Sequence, residues 1–529
     1  MRTAMKTNAA TETRQTLDLG LIWGVMAVLS ACVLAFAFRT RNYFVDDAFI
    51  GFQYLDNLMA GHGFVFQAGA APVEGVTNIG WLLMLAPFSG LAEPMALAKL
   101  AGLALLLFTL ILTVCLGQRL AMSNMPTDDS FALVIPPVLM LVSSFEFVYF
   151  SLAGMETALL ATILMVMCLI ALNRPHAKEL PILAAAAFLV HPEAVAVYPL
   201  YSALCWFWSK RGWFWSKRDR QKVINGNLIL AGLVGGITLV RFAYFDDVLP
   251  NTFYSKPSDL HTAVGNVYAF LMGQNTNVAF PITGWLAIPL LVLGYLRLRR
   301  STPAAADMLA ATCATGLILA IYSLPDWTAL PRYFAPYLPA ALILFWAGLN
   351  RAIQLFISQP RVRQLTGAAV MVLLVLTSVV DGQAKMARME DFPGYVLSGK
   401  NLVEPSVWLR DHVPEGATIA ARRIGALAYY SQRPVFDYAY GLPDRQVARL
   451  VSAQGHRFDT PTDSALAAVW RARAPEYVLE DGPIIDYIAS QSGGTRQRFS
   501  IHGIEYRLVE QFTIGHDAQW VLARRAAAK

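Results

Sequence analysis

Apolar residues in this chain gather into long runs divided by short polar stretches. Most runs reach about 17–24 residues, the length that crosses roughly 30 Å of hydrocarbon as a helix. They fall at 17–38, 95–117, 131–149, 156–172, 179–190, 193–208, 225–244, 278–297, 305–324, 332–350 and 366–383, which predicts eleven membrane spans. The first run, Leu17–Phe38, is too long for a signal-peptide core and lacks a small-residue cleavage site, so it reads as an uncleaved span. A further apolar stretch, Ile79–Leu91, could also be counted. Counting it would turn every later loop over, so it reads instead as a helix lying in the membrane interface. After residue 383 the pattern changes to mixed polar and apolar pieces rich in Pro and Gly. There VWLRDHV suggests a helix, and ATIAARRI, RPVFDYA, PEYVLE, EYRLVEQF and QWVLARR suggest strands.

The expected fold is therefore mainly α: a polytopic bundle of about eleven transmembrane helices plus interfacial helices over residues 1–383, followed by an α/β extracytoplasmic domain over 384–529. Composition agrees, with 56% hydrophobic and 15% charged residues against about 25% charged in soluble proteins. The five cysteines all lie in apolar runs, so neither a disulfide framework nor a cysteine metal site is indicated.

Charge then orients the bundle. Arg119, Arg174, Lys178, the cluster Lys210 to Lys222, Arg297, Arg299, Arg300, Arg351, Arg361 and Arg363 fall on loops of one parity. Only Arg39, Arg41, Lys256 and Arg332 fall on the other. By the positive-inside rule the N-terminus is cytoplasmic and the C-terminal domain outside. The net charge of +6 is thus a topology signal rather than a nucleic-acid footprint. The repeat WFWSKR-G-WFWSKR at 206–218 reads as a local duplication that anchors a cytoplasmic loop among lipid headgroups.

Candidate chemistry collects on the outer side. The first outer loop, 39–94, opens with Asp46 and Asp47 and carries Asp56, His62, Glu74 and Asn78, with no Lys or Arg from Asn42 to Ala98. Glu156, the pair His191 and Glu193, the set Asp246, Asp247, Asn251, Tyr254 and Lys256, and finally Asp326, Arg332 and Tyr333 fall at four later outer turns. Each has a structural reading of its own: Glu156 as a helix cap, His191-Pro192 as a helix breaker, Glu146 as a satisfied core acid. Their convergence on one membrane face points to a site. A carboxylate there can act as general base toward an acceptor hydroxyl, and a lone Arg or Lys can hold a phosphate. A sugar phosphate is a good leaving group, so no separate acid is required.

These segments resemble the C-type (GT-C) membrane glycosyltransferases that use polyprenyl-phosphate sugars, most nearly their bacterial arabinofuranosyltransferase branch. The resemblance is carried by DDAFIGFQYLDNLMAGHGFVF, VEGVTNIGW, SLAGMETALL, VLPNTFYSKP, LPRYFAPYLP and WLRDHVPEGATIAARRIGALAYYSQRPVFDYAYGLPD, in order over about residues 42–445. It implies that Asp46 or Asp47 is the base, with the other orienting the acceptor or a metal. It further implies that Arg332 and Lys256 hold the donor phosphate, and that Glu156, His191 and Glu193 line the sugar pocket. Glu74, Asn78, Asn251, Tyr254 and Tyr333 complete the expected substrate-binding set. The chain departs from the family pattern in three places. His191 precedes Pro-Glu where the family has Arg, Val76 follows Gly75 where it has Tyr, and no Gly precedes Arg332.

The expected function is inverting transfer of a sugar, with arabinofuranose the sugar the resemblance implies, from a polyprenyl-phosphate donor to a hydroxyl of a cell-envelope glycan, glycoprotein or lipid. No cofactor is called for, and a divalent cation is left open. A transporter or flippase for a lipid-linked sugar is the alternative, though such proteins usually place polar groups near the bilayer midplane. A non-enzymatic scaffold leaves the paired acids unexplained. In an extended loop, neighbouring residues point different ways, so only one of Asp46 and Asp47 is expected to face the acceptor.

Overall fold

The computed structural model describes residues 2–123, 130–209, 217–256, 260–272, 284–323, 332–391, 398–514 and 518–525. Helices occupy the described part of every apolar run. In chain order the first part contains α1 (Arg2–Arg39), α2 (Asp46–Met59), α3 (Ile79–Leu85), α4 (Pro94–Met122), α5 (Ser130–Ser143), α6 (Phe145–Leu152), α7 (Thr157–Asn173) and α8 (Glu179–Val190). It continues with α9 (Val197–Ser209), α10 (Lys217–Phe245), α11 (Asn251–Ser255), α12 (Leu260–Met272), α13 (Gly284–Ser301), α14 (Pro303–Tyr322), α15 (Leu338–Phe356) and α16 (Pro360–Asp391). Prolines open α4 and α14, where the missing N–H costs nothing because the first turn has no intrahelical acceptor. The chain is a multi-pass membrane protein.

Among the described residues, six helices are long and apolar enough to cross a membrane by themselves, or seven if the bent pair α5–α6 counts as one. The other expected spans lie on shorter helices: α7 has 17 residues and α8 only 12, about 26 and 18 Å of rise. Two details differ from the pattern. The run 131–149 is not one rod. It bends by 64° at Ser144, whose extended backbone ends α5 and whose hydroxyl accepts the N–H of Phe147 to cap α6. The first outer loop is not extended at its start either, because Asp46 and Asp47 are the opening residues of helix α2. The stretch expected to lie in the interface forms α3 and a 3-10 turn, Ala86–Phe88. Trp81, Leu82 and Leu85 are buried there while Leu83 and Phe88 stay exposed.

The C-terminal part is α17 (Ser398–His412), β1 (Ile419–Ala421), α18 (Gly425–Ser431), β2 (Val435–Asp437), α19 (Arg445–Gln454), α20 (Ala467–Arg473), β3 (Tyr477–Asp481), α21 (Gly482–Gln491), β4 (Arg498–Ile501), β5 (Ile504–Ile514) and β6 (Ala518–Arg525). The strands form one sheet in the order β2-β1-β3-β6-β5-β4, parallel through β2-β1-β3 and antiparallel beyond. The period-two alternation of strands divides its side chains between two cores. Ala420, Phe436, Val478, Val521 and Ala523 face one core, filled by Val447, Trp470 and Ile485 of the domain's own helices. Ile419, Ala421, Val435, Leu479 and Leu522 face the other. That second core is shared: Phe49, Phe52 and Leu55 of α2, Trp81 and Leu82 of α3, and Tyr149 and Phe150 of α6 belong to it. The sheet domain is thereby seated on the 39–94 segment.

Candidate active site

Helix α2 is fixed from three sides. Its N-cap, Val45, is extended and donates its N–H to the Ala153 carbonyl at 3.3 Å. Gly154 adopts φ +88, and a Cβ there would sit 2.9 Å from the Ala48 side chain, so only glycine allows the α6–α7 turn to approach so closely. The next segment, 60–78, folds back on α2. Asn57 donates to the carbonyls of Val65 and Phe66, both at 3.0 Å, and the Tyr54 hydroxyl donates to Val73 at 2.6 Å while accepting the N–H of Gly75.

The two opening aspartates part company at once, because successive helical residues diverge by about 100°. Asp46 points into the second core and is 7% exposed. Its carboxylate accepts the N–H groups of Gly425 at 3.1 Å and Ala426 at 2.8 Å, the start of α18 in the sheet domain. Burial pushes this carboxyl above the usual carboxylate range in spite of those donors. Asp47 points the other way, with a side chain 24% exposed that meets Arg332 at 2.9 Å.

Arg332 links Asp47 to the rest of the expected site. It precedes the 3-10 turn Ala335–Tyr337 ahead of α15, and its guanidinium lies 5.2 Å from the ring centre of Tyr333. Its charge bears on His191, which ends α8 in an extended conformation and pairs with Glu193 at 2.7 Å. Burial would lower the His191 pKa, but the carboxylates of Glu193 and Glu156 outweigh it and raise it. Glu193 is held well below the usual range by the same pairing, against the effect of burial. Glu156 sits at the N-cap of α7 without capping it. Its carboxylate instead accepts the side-chain N–H of Asn78 at 2.8 Å. The helix-breaker reading of His191 and its membership of the cluster thus hold together, whereas the capping reading of Glu156 does not.

Lys256 is exposed just after α11, and its charge reaches both Glu193 and Tyr440. Tyr440 also feels Asp47 and hydrogen-bonds Arg457. Asp47, Asn78, Glu156, His191, Glu193, Lys256, Arg332 and Tyr333 therefore form one connected polar group at the end of the bundle that carries the sheet domain. Two contributors were not singled out from the sequence. Tyr440 lies within the quoted DYAYGLPD segment, where an aromatic before Gly-Leu-Pro was the available signal. Tyr337 has a buried hydroxyl with no hydrogen-bond partner among the described residues and lies in the field of Glu193.

Three expected substrate ligands are engaged elsewhere. Glu74, 2% exposed, forms a sealed ion pair with Arg241, which α10 inserts beside Phe188. Asn251 donates to the carbonyls of Gly441 at 2.6 Å and Leu442 at 2.8 Å and so clips the sheet domain to α11. Tyr254 donates to Asp247 at 3.0 Å beneath Arg449, which also pairs with Asp247. Each of the three contacts protein through part of its polar group, while Glu74 Oε1 and Asn251 Oδ1 are buried with no hydrogen-bond partner among the described residues. Glu146, a core acid in the alternative reading, pairs with Lys385 of α16. Asp326 lies outside the described residues. Among the described residues no group of three or more His, Cys, Asp or Glu is arranged to hold a metal ion.

Known proteins share this architecture. ArnT from Cupriavidus metallidurans, in a crystal structure with undecaprenyl phosphate, superposes with a TM-score of 0.56 over 96% of this chain and 98% of its own, at 13% identity. The Archaeoglobus fulgidus oligosaccharyltransferase, in complex with zinc and sulfate, gives 0.52 over 88% of this chain and 68% of its own, at 10% identity. The mycobacterial arabinofuranosyltransferase AftD gives 0.46 over 95% of this chain and 40% of its own, at 15% identity, too distant to bear on the sugar. Residues 396–526 match the model of a domain of unknown function (DUF8728). No curated protein matches the chain.

Proposed function

We propose that this chain, which has the GT-C fold, is a glycosyltransferase that moves a sugar from a polyprenyl phosphate to a hydroxyl on the outer face of a bacterial inner membrane. The observation that carries the reading is the meeting of Asp47 with Arg332 at one end of the bundle, beside His191, Glu193, Glu156 and Asn78. A carboxylate base and a phosphate-binding guanidinium are the two groups that such a transfer requires.

Their pairing suggests an order of events. With the donor absent, Arg332 holds Asp47 and makes it a weak base. An incoming phosphodiester presents two non-bridging oxygens that share one negative charge and match the guanidinium fork, and draws it away, with Lys256 as a second cation. Asp47 is then released to take the proton of the acceptor hydroxyl. The acceptor oxygen attacks the anomeric carbon, and the bond from that carbon to the phosphate oxygen breaks. The phosphate leaves with the bonding pair, its charge met by Arg332, and the anomeric configuration inverts.

Asp46 takes no direct part, since its carboxylate is occupied by the sheet domain. In this reading, residues 1–383 form the transfer machinery and 384–529 an outer domain that helps to select the acceptor, a cell-envelope glycan, glycoprotein or lipid. Arabinofuranose is the sugar favoured by the sequence motifs. The basic loops on one parity support a cytoplasmic N-terminus. A transporter is less well supported, because the polar cluster sits at one end of the bundle rather than at its middle.

The test is to incubate the purified protein in lipid nanodiscs with a panel of polyprenyl-phosphate sugars and an envelope glycan extract, reading products by mass. Consumption of one donor with sugar appearing on the acceptor is expected. A folded protein that leaves every donor intact would overturn the proposal.

A further inference from the structure

A cavity of about 750 Å³ opens beside α2 between the turn at 89–95 and the helices α17 and α18 of the sheet domain. Gln53 and Asp56 of α2 line it. Asp56 is nine residues beyond Asp47, about half a turn round the helix and ~14 Å along it, so this groove lies on the far side of α2 from the Asp47–Arg332 pair. The remaining polar lining is Ser89, Glu93, Arg410, Tyr429, Tyr430 and Gln432.

The groups are held but not used. Phe49 packs against both Tyr429 and Tyr430, with ring centres 5.5 and 5.4 Å away, and the two tyrosine rings stand at 88° to each other. Gln432 ends α18 in the left-handed region at φ 53, a conformation that a non-glycine residue holds at some cost. The side chains of Gln53, Asp56, Glu93 and Gln432 make no hydrogen bond or ion pair with any described residue. Glu93 lies close enough for its charge to bear on the Asp56 carboxyl, and both bear on the Tyr429 hydroxyl. Arg410, the one basic group in the lining, pairs with Asp411.

This chemistry excludes and selects. Two carboxylates disfavour an anion such as the donor phosphate, and two are too few to hold a divalent cation without further protein ligands. Aromatic faces combined with carboxylate and amide groups suit a ring that has apolar C–H faces and rows of hydroxyl donors. We infer that this groove is a binding subsite for neutral sugar residues of a glycan. The cavity has the volume of an ordinary small-ligand site, enough for more than one sugar ring. The inference rests on the proposed transfer only in taking that glycan to be the acceptor, which would be gripped on one side of α2 while its reacting hydroxyl lies on the other.

The test is saturation-transfer NMR on the nanodisc-embedded full chain with neutral pentose and hexose oligomers. At least one class is expected to bind. The paired substitution Asp56→Asn/Glu93→Gln and the single substitution Tyr429→Ala should each weaken that binding tenfold or more. If a variant melts at a lower temperature, Gln53→Ala reads the same groove from the preceding turn of α2. Failure of every neutral oligomer to bind, binding indifferent to these substitutions, or binding confined to charged sugars would each overturn the inference. Glycan binding without any transfer would sink the transferase reading alone, and transfer without groove binding would sink the subsite alone.

Discussion

The two ends of the Asp46–Asp47 peptide unit meet opposite surroundings. One side of α2 turns inward to the sheet domain, where Asp46 spends its carboxylate on two backbone N–H groups. The other side turns to an open polar cluster, where Asp47 meets a charge partner in Arg332. The same contrast recurs between two carboxylate–arginine pairs. Asp47 and Arg332 have side chains 24% and 10% exposed, whereas Glu74 and Arg241 are 1% and 5% exposed. A buried pair whose charges cannot be reached holds structure together, because breaking it strands a charge. A reachable pair can exchange partners with a ligand. Access, rather than residue type, separates the anchors from the chemistry in this molecule.

Asp47→Asn tests that contrast most strongly. Loss of a general base typically costs 10²–10⁴-fold in rate, about 3–5 kcal/mol of barrier, and no loss of stability is expected from so accessible a side chain. Transfer rate and melting temperature measured on one preparation check both halves, and full activity would remove Asp47 from the role of base. Asp46→Ala should show the reverse. It leaves the Gly425 and Ala426 N–H groups buried without acceptors, at about 1–3 kcal/mol each. The melting temperature should drop and the sheet domain should become protease-sensitive. An Asp46→Ala protein that melts normally yet transfers nothing would show that Asp46 does chemistry after all.

A third test uses pH on the docking side. Asp437 is buried and accepts N–H groups from Ala439, Tyr440 and Leu442, shaping the loop that brings Tyr440 to the cluster. Burial raises its pKa from 3.8 to about 6. A carboxyl that holds its proton more tightly when folded favours the folded state at low pH. That advantage disappears as pH rises from about 4 to 6, by about 3 kcal/mol at ~1.4 kcal/mol per unit. The stability difference between the unaltered protein and Asp437→Asn should therefore shrink across that window and stay level above it. A difference independent of pH would remove the titration from Asp437.

Much of this was legible in the sequence because hydrophobic runs and strand alternation are local signals. The helices that fill the apolar runs and the strands at 419–421, 435–437, 477–481, 504–514 and 518–525 follow from them, whereas α2, α12 and β4 lay outside these signals. The bend at Ser144 was hidden, since one capping hydroxyl inside an apolar run leaves hydropathy unchanged. The division of labour between Asp46 and Asp47 was hidden for another reason. It depends on Gly425, nearly four hundred residues downstream. Glu74, Asn251 and Tyr254 carry the polar groups of a ligand site, and nothing local reveals that Arg241, the Gly441 and Leu442 carbonyls, and Asp247 with Arg449 engage them.

Gly425→Ala gives the smallest and sharpest perturbation of the docking side. A Cβ at this position would lie 2.0 Å from the Asp46 carbonyl oxygen and 3.0 Å from its carboxyl carbon. Backbone cannot yield as a flexible side-chain tip can, so α18 must back away from α2. Such overpacking costs about 1–3 kcal/mol. The displacement lengthens both hydrogen bonds to Asp46 while leaving Asp47, Arg332 and His191 untouched. Thermal unfolding should thus begin a few degrees lower, with transfer below that temperature close to normal. If transfer instead falls as far as in Asp47→Asn while melting is unchanged, the two sides of α2 are mechanically coupled, and docking of the sheet domain is itself a condition for the chemistry.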